Sequence, residues 1–453
     1  MPRVVRETLV SVRELIATAG PFILVAIALL ALTYVLLDPA PPKRVVLATG
    51  LEQSAYAVFG ERYSAELKRY GIRVEVKRTA GSRENLRLLR EGKEHVDFAF
   101  VQGGASESAR AQEEEKTGLP LVSLGSLFYE PVWLFYRVEA AKRLNREATL
   151  TQLPQLRGWN VNVGARGSGT PGLTNRLFAA NFVERAEFKR SLLEDTPAVV
   201  ALLGGELDAL AFVSAPESQL VQMLLQTPGI KLYEFPNAEA YARRFSYISP
   251  VTLPRGVADL SRDVPPRDLP LIAATTSLVA REGTHPALVQ LFVQAASRIH
   301  GGAGWISRAG QFPSSQQTEF PLAKEAERYY RSGPPLLQRY LPFSLANLID
   351  RMWVALVSIA VVLIPLSRLV PPLYVFRIRS RIFRWYRQLR QIEERIERKK
   401  GSSADLLDEL DRLEAKAAQI NVPLAYTDEL YSLRGHIDLV RARLQKPPPP
   451  GVQ

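Results

Sequence analysis

The chain has no cysteine and only four histidines in 453 residues. Without cysteine there is no disulfide scaffold, thiolate metal site, iron–sulfur cluster or cysteine nucleophile. The histidines, His95, His285, His300 and His436, are too scattered for a histidine metal centre. His95 precedes a strand pattern and His285 a proline, which suits structural or solvated roles. The sequence also lacks a G-x-S-x-G elbow, an H-E-x-x-H pair, a P-loop lysine motif and a histidine near a plausible nucleophile. We therefore expect no catalytic residue, metal or cofactor, and do not read the chain as an enzyme.

Charge is missing from two long stretches. Leu15 to Leu37 holds 23 uncharged residues, about 34 Å of helix and enough to cross a hydrocarbon core of about 30 Å. A cleaved secretory signal would be shorter, and Leu37-Asp38-Pro39 offers no small-x-small cleavage site. Met352 to Ser367 is a second run of 16 uncharged residues, with Arg368 placed to snorkel at one end.

What the chain has in excess is positive charge: 58 Lys and Arg against 46 Asp and Glu, a net of +12. Residues 368–400 hold eleven basic and three acidic residues, so +8 lies directly after the second apolar run. Residues 1–20 carry +1, residues 401–453 carry −2, and the long middle is an ordinary surface. By the positive-inside rule both termini are cytoplasmic and residues 43–345 lie outside. The basic stretch then reads as a topology mark in contact with anionic lipid. Its basic residues share a helix with a regular apolar seam, which argues against nucleic acid as a partner.

Between the two runs the pattern is α/β. Val45–Thr49, Ile72–Val76 and Val96–Val101 read as buried strands, each followed by a loop and a helical stretch. Strand, loop and helix repeated three times predicts a parallel, doubly wound sheet. Ligands in such sheets bind beyond the carboxyl ends of the strands, here at the loops 50–56, 79–82 and 102–104. A second round follows at 156–164, and Gly167-Ser168-Gly169-Thr170-Pro171 opens a helix whose amides suit an anion, with Arg166 beside it. Gly204-Gly205 and the strand 207–213 echo the segment before Val101, which suggests two lobes of related construction. The aromatic run 124–138 reads as a crossover between them, interrupted at Pro131.

The segments ATGLEQSAY (48–56), TAGSRENLRLLREGKEHVDFAFVQGG (79–104), LGSLFYEPVWLFYR (124–137), LRGWNVNVGARGSGT (156–170) and LLGGELDALAFV (202–213) stand in an order that resembles the TAXI family. Members of that family are the solute-binding subunits of TRAP transporters, with a type II periplasmic binding protein fold. The resemblance spans about residues 43 to 340, and 321–354 with 377–390 look like a membrane-anchored branch. It implies two α/β lobes closing on a small anionic solute, such as a dicarboxylate or acidic amino acid, and a TRAP-type permease as partner. Position by position, it implies ligand contacts at Thr49, Gly50, Ser54, Tyr56, Thr79, Gly81, Ser82, Gln102, Gly167, Ser168, Gly169 and Thr170, to which the reading of the loop itself adds Arg166 as a partner for a carboxylate. The sequence departs from the family at Leu51-Glu52-Gln53-Ser54, where a glycine-rich stretch is usual. A carboxylate at Glu52 would repel an anion if it pointed inward, and we expect it to face solvent.

The tail carries apolar residues at heptad spacing: Ile378, Ile382, Trp385, Leu389, Ile392 and Ile396, then Leu406, Leu410, Leu413, Ala417 and Ile420, then Leu430, Leu433, Ile437, Val440 and Leu444. Three short amphipathic helices are expected, as a hairpin or three-helix bundle closed by homo-oligomerisation.

The expected organisation is a two-lobed type II binding domain flanked by two transmembrane helices and a helical cytoplasmic tail. Residues 1–42 form the N-terminus, anchor and linker, and 43–345 the extracytoplasmic domain. Its first lobe takes 43–130 and 246–345, its second 131–245. The second span takes 346–372 and the coiled-coil tail 373–453. The setting is a bacterial cytoplasmic membrane with the binding domain in the periplasm. The competing reading is a sensor that signals ligand occupancy through the second span to the tail.

Overall fold

In the computed structural model, residues 3–38, 40–107, 118–184, 187–398, 400, 402–418 and 426–445 are described. Pro39 of the expected linker and Ile420 of the expected tail seam lie outside them. The chain divides into two compact units, Ala40–Asn347, and Met1–Pro39 together with Leu348–Gln453.

The first of these units is a ten-stranded sheet with helices packed on it. Its strands are β1 (Arg44–Ala48), β2 (Arg73–Lys77), β3 (Phe98–Gln102), β4 (Leu121–Arg137), β5 (Asn160–Asn162), β6 (Lys189–Ser191), β7 (Ala209–Val213), β8 (Ile230–Leu232), β9 (Ile248–Leu253) and β10 (Leu269–Arg281). The order is β2-β1-β3-β10-β4-β7-β5-β6, with β8 on β4 and β9 on β10. β1 runs parallel to β2 and β3, and β5 parallel to β6 and β7. The parallel pairing expected from the three strand–helix repeats is present in β1–β3, but the sheet as a whole is mixed: β4 and β10 run antiparallel to their neighbours. The strand–helix–strand signals describe only the parallel parts, because the two long strands pair with partners remote in sequence.

Pro131 does not interrupt β4. It pairs with Ala273 of β10, and from Val132 onward the strand pairs with β7. A missing backbone N–H is tolerated where a strand passes from one partner to the next. β4 is therefore shared by both halves of the sheet.

Each half has its own core. Phe98, Phe100, Tyr63 and Phe292 are buried around β3 and the helix Pro286–His300, with the Phe98 and Phe292 rings stacked at 3.8 Å. Trp133, Phe135 and Phe212 fill the half built on β4 and β7. Each large apolar side chain taken fully out of water contributes about 1.5–3 kcal/mol. Glycine ends two of the helices: Gly92 and Gly205, at φ 64° and 85°, follow Ser82–Glu91 and Asp195–Gly204.

The other unit is helical. The helices Arg3–Leu37 and Phe343–Ser367 carry the apolar stretches, and Ile16–Leu37 and Phe343–Glu397 are candidate membrane spans by length and composition, with an 18-residue window of mean hydropathy 2.5 in the first and 2.2 in the second. Ile23, Leu24, Val25, Trp353, Val357 and Val361 are exposed on them. Val370–Glu397, Ser403–Ala418 and Thr427–Gln445 bury Ile378, Ile382, Leu389, Ile392, Leu406, Leu410, Leu413, Ala417, Leu433, Ile437 and Val440 against one another. These apolar seams are covered within the chain, and Arg441 ties the last two helices through Asp411 at 2.7 Å and Glu414 at 2.5 Å.

Candidate functional site

A cleft of about 1000 Å³ lies at the carboxyl ends of the parallel strands, where α/β sheets hold ligands. Such a volume is at the upper end of the range for small-molecule sites, about 300–1,000 Å³. One wall comes from the loop and helix after β1, the loop before the helix Ser82–Glu91, and the end of β3. The opposite wall comes from the loop 165–170, the start of the helix Asp195–Gly204 and the segment after β7.

The two walls meet at several points. Gly81, at φ 124°, comes so close that a Cβ there would lie 3.2 Å from the Ser168 Cα. Only glycine fits both that dihedral and that approach. Glu84 N–H donates to the Gly167 carbonyl at 3.4 Å, Thr196 Oγ1 to Gln53 Oε1 at 2.7 Å, and Arg176 Nη2 to the Gly104 carbonyl at 2.6 Å.

Of the residues singled out in the sequence, Gly50, Ser54, Tyr56, Gly81, Ser82, Gln102, Ser168, Gly169 and Thr170 line this cleft. Thr49, Thr79, Arg166 and Gly167 do not. Thr49 Oγ1 donates to the Lys77 carbonyl, and Thr79 Oγ1 bonds the Thr49 carbonyl and Asn85, so both hydroxyls are engaged in joining β1 to the next loop. Arg166 is exposed, and the Gly167 carbonyl is used in the wall contact. Ser54 caps the helix Ala55–Lys68 by accepting from Ala57 N–H at 3.3 Å. Glu52 is 82% exposed at the rim and 3.4 Å from Arg78.

The polar centre is a network that the sequence motifs only half contain. Tyr56 Oη donates to Glu130 Oε2 at 2.8 Å, and Thr276 Oγ1 donates to the same oxygen. Tyr56 Oη is also 3.0 Å from Ser82 Oγ, which accepts from Gln102 N–H at 3.0 Å. Glu130 is 3% exposed. Burial pushes its carboxyl up to about 7, against the pull of the Thr276 and Tyr56 hydrogen bonds; the nearby Asp195 adds to the rise. Asp195 is itself pushed up to about 6 by burial and by Glu194, despite standing in the first turn of a helix.

The far side of the cleft is aromatic. Phe59 and Phe128 lie 4.7 Å apart, and His300 stacks on Phe128 at 5.3 Å. Burial, with Arg62 nearby, lowers His300 to about 3 and keeps it neutral. The ionisable lining consists of Glu52, Glu130, Glu194, Asp195 and Glu217 against Arg62 and the neutral His300. That balance opposes the anionic solute expected from the resemblance.

A cleft between two α/β halves, lined by hydroxyls, amides and buried carboxyl groups, defines a small-ligand-binding domain. The chain belongs to the NMT1-like family, whose model matches residues 47–332. Similar solved structures include the alkanesulfonate-binding protein SsuA of Xanthomonas axonopodis pv. citri bound to MOPS, with 12% identity over 57% of this chain and 73% of that one, TM-score 0.38. They also include the periplasmic aliphatic sulphonate binding protein SsuA of Escherichia coli, with 15% identity over 69% and 79%, TM-score 0.37. MatC of Rhodopseudomonas palustris with bound malate shares 16% identity over 68% and 96%, TM-score 0.37. No curated protein matches the chain.

Proposed function

We propose that this protein is a membrane-tethered solute-binding protein that captures a small solute outside the cytoplasm and passes it to a TRAP-type permease. The observation that carries the proposal is the cleft itself, with Tyr56, Ser82 and Gln102 on one wall and Ser168–Thr170 and Asp195 on the other. In this reading residues 43–345 are the binding domain, with lobes at 43–130 plus 246–345 and at 131–245. Residues 1–42 and 346–372 supply two spans, and the charge of +8 on 368–400 keeps the helical tail, 373–453, in the cytoplasm. The dicarboxylate or acidic amino acid of the resemblance is the solute class that the carboxylate-rich lining favours least.

The tail favours a second reading, in which occupancy is signalled across the membrane. A three-helix core as ordered as that of Ile382, Leu410 and Ile437 is more than an anchor needs. Crosslinking the full chain in its native membrane separates the two: a permease subunit captured by the tail supports transport, and a cytoplasmic regulator supports sensing. The binding function itself is tested by thermal denaturation of the detergent-solubilised full chain against a panel of amines, amino acids and carboxylates. A concentration-dependent rise in Tm with one class is expected, and a flat response to all contradicts the proposal.

A further inference from the structure

The carboxyl groups of the cleft are arranged for one chemistry in particular. Both hydrogen bonds received by Glu130 fall on Oε2, from Tyr56 and Thr276, and none among the described residues reaches Oε1. Glu130 nevertheless lines the cleft, so Oε1 is the oxygen left for a ligand. Asp195 is close enough to raise the Glu130 carboxyl, and among the described residues no basic side chain lines this end of the cleft. The arginine in the lining, Arg62, is exposed and lies 5.5 Å over the Phe59 ring on the aromatic side.

A second observation points the same way. Gln102 is 4% exposed and lines the cleft, yet its amide nitrogen has no hydrogen-bond partner among the described residues. A buried donor without an acceptor is destabilising relative to a satisfied one, and a ligand acceptor removes that cost. Gln102 N–H meets Ser82 Oγ, and Ser82 Oγ meets the Tyr56 hydroxyl that bonds Glu130, so the donor and the acid sit on one short chain of contacts. A metal ion is a poorer occupant, since no group of three potential ligands that could hold one occurs among the described residues.

We propose that the solute held in this cleft is an organic cation, with its protonated nitrogen between the Glu130 and Asp195 carboxyl groups and a hydrogen-bond acceptor on the Gln102 amide. Two carboxyl groups that line one cleft and sense each other's charge are unfavourable when both are ionised, and a cation between them removes that repulsion. The Phe59 and Phe128 rings then take the apolar part of the ligand. This inference rests on the solute-binding reading and names the chemical class that reading leaves open.

The test is calorimetric titration of the full chain in detergent with matched probes: agmatine, cadaverine, L-lysine and phenethylamine against glutarate, L-malate, L-glutamate and 3-phenylpropionate. At least one amine is expected to bind tenfold or more tighter than any carboxylate, and Glu130→Gln is expected to weaken it at least tenfold. Asp195→Asn, on a different element, serves the same purpose should Glu130→Gln fail to fold. Binding of a carboxylate but no amine overturns the cation and leaves the solute-binding reading intact. Binding of neither set contradicts both.

Discussion

Tyr56 and Glu130 meet through a 2.8 Å hydrogen bond that joins the first turn of the helix after β1 to the middle of the strand shared by both halves of the sheet. The bond fixes an acid at the point where the walls of the cleft converge. Burial holds the Tyr56 hydroxyl well above the ordinary tyrosine range, so it stays a donor throughout the stable pH range. Tyr56→Phe leaves Glu130 Oε2 with Thr276 as its only donor among the described residues. We expect a loss of about 1–3 kcal/mol of stability at pH 8, read by urea denaturation.

Glu130 also makes the unliganded protein less stable at higher pH. Its folded carboxyl is raised from 4.5 to about 7. A raised carboxyl contributes stability that is fully present below its unfolded value and lost as pH rises through the folded one, here between about 4.5 and 7. The loss is about 3 kcal/mol at most. Asp195, raised from 3.8 to about 6, acts in the same direction, and His300, lowered from 6.5 to about 3, acts in the opposite one between those values. Comparing Glu130→Gln with the parent at each pH isolates the one group. The variant should gain Tm relative to the parent at pH 8 and show no gain at pH 4.

The same two carboxyl groups give binding a pH dependence with a defined sign. A cationic ligand favours their ionised forms, so it binds with release of protons when they start protonated. Affinity for the tightest amine should fall as pH drops from 8 through 7 and 6, where Glu130 and Asp195 take up protons. Arg62, Glu52, Glu194 and Glu217 also line the cleft, and His300, lowered to about 3, stays neutral in that window. Titrations in two buffers of different ionisation enthalpy count the protons released.

Much of the frame is legible in local patterns of the chain. A short apolar run ending at Gly50 marks a strand, Gly92 and Gly205 mark helix ends, and the 4-3 spacing from Ile378 to Ile396 marks a seam whose Ile378, Ile382, Leu389 and Ile392 are buried. These signals are set by periodicity and by glycine dihedrals. Glu130 is invisible for the opposite reason: in an aromatic strand its acid looks like any surface residue. Its role comes from Tyr56 and Thr276, 74 and 146 residues away. Thr49 and Thr79 mislead in the other direction. A threonine at a strand end suits a ligand contact, but the neighbouring strand supplies the carbonyl that takes its proton first.

Close approach at Gly81 predicts a specific failure. Gly81→Ala places a Cβ 3.2 Å from the Ser168 Cα at a dihedral that only glycine adopts readily. The strain, about 1–3 kcal/mol, is relieved if the walls separate. The variant should stay folded, lose ligand affinity by tenfold or more, and show faster amide exchange at 79–84 and 165–170.

The tail bundle has its own prediction. Leu410 is fully buried between the three helices. Leu410→Ala should weaken that core by about 2–5 kcal/mol. Limited proteolysis of the full chain should then cut within 403–445 at protease concentrations that leave the parent intact.

The most direct test of the account is release of bound small molecules. The detergent-solubilised full chain is incubated with the small-molecule fraction of a cell extract, washed and denatured, and the released compounds are identified by mass spectrometry. Ser82→Trp, which fills the cleft beside Tyr56, is treated in parallel. A compound retained by the parent and absent from the variant is expected. Equal retention by both, or none by either, would contradict it.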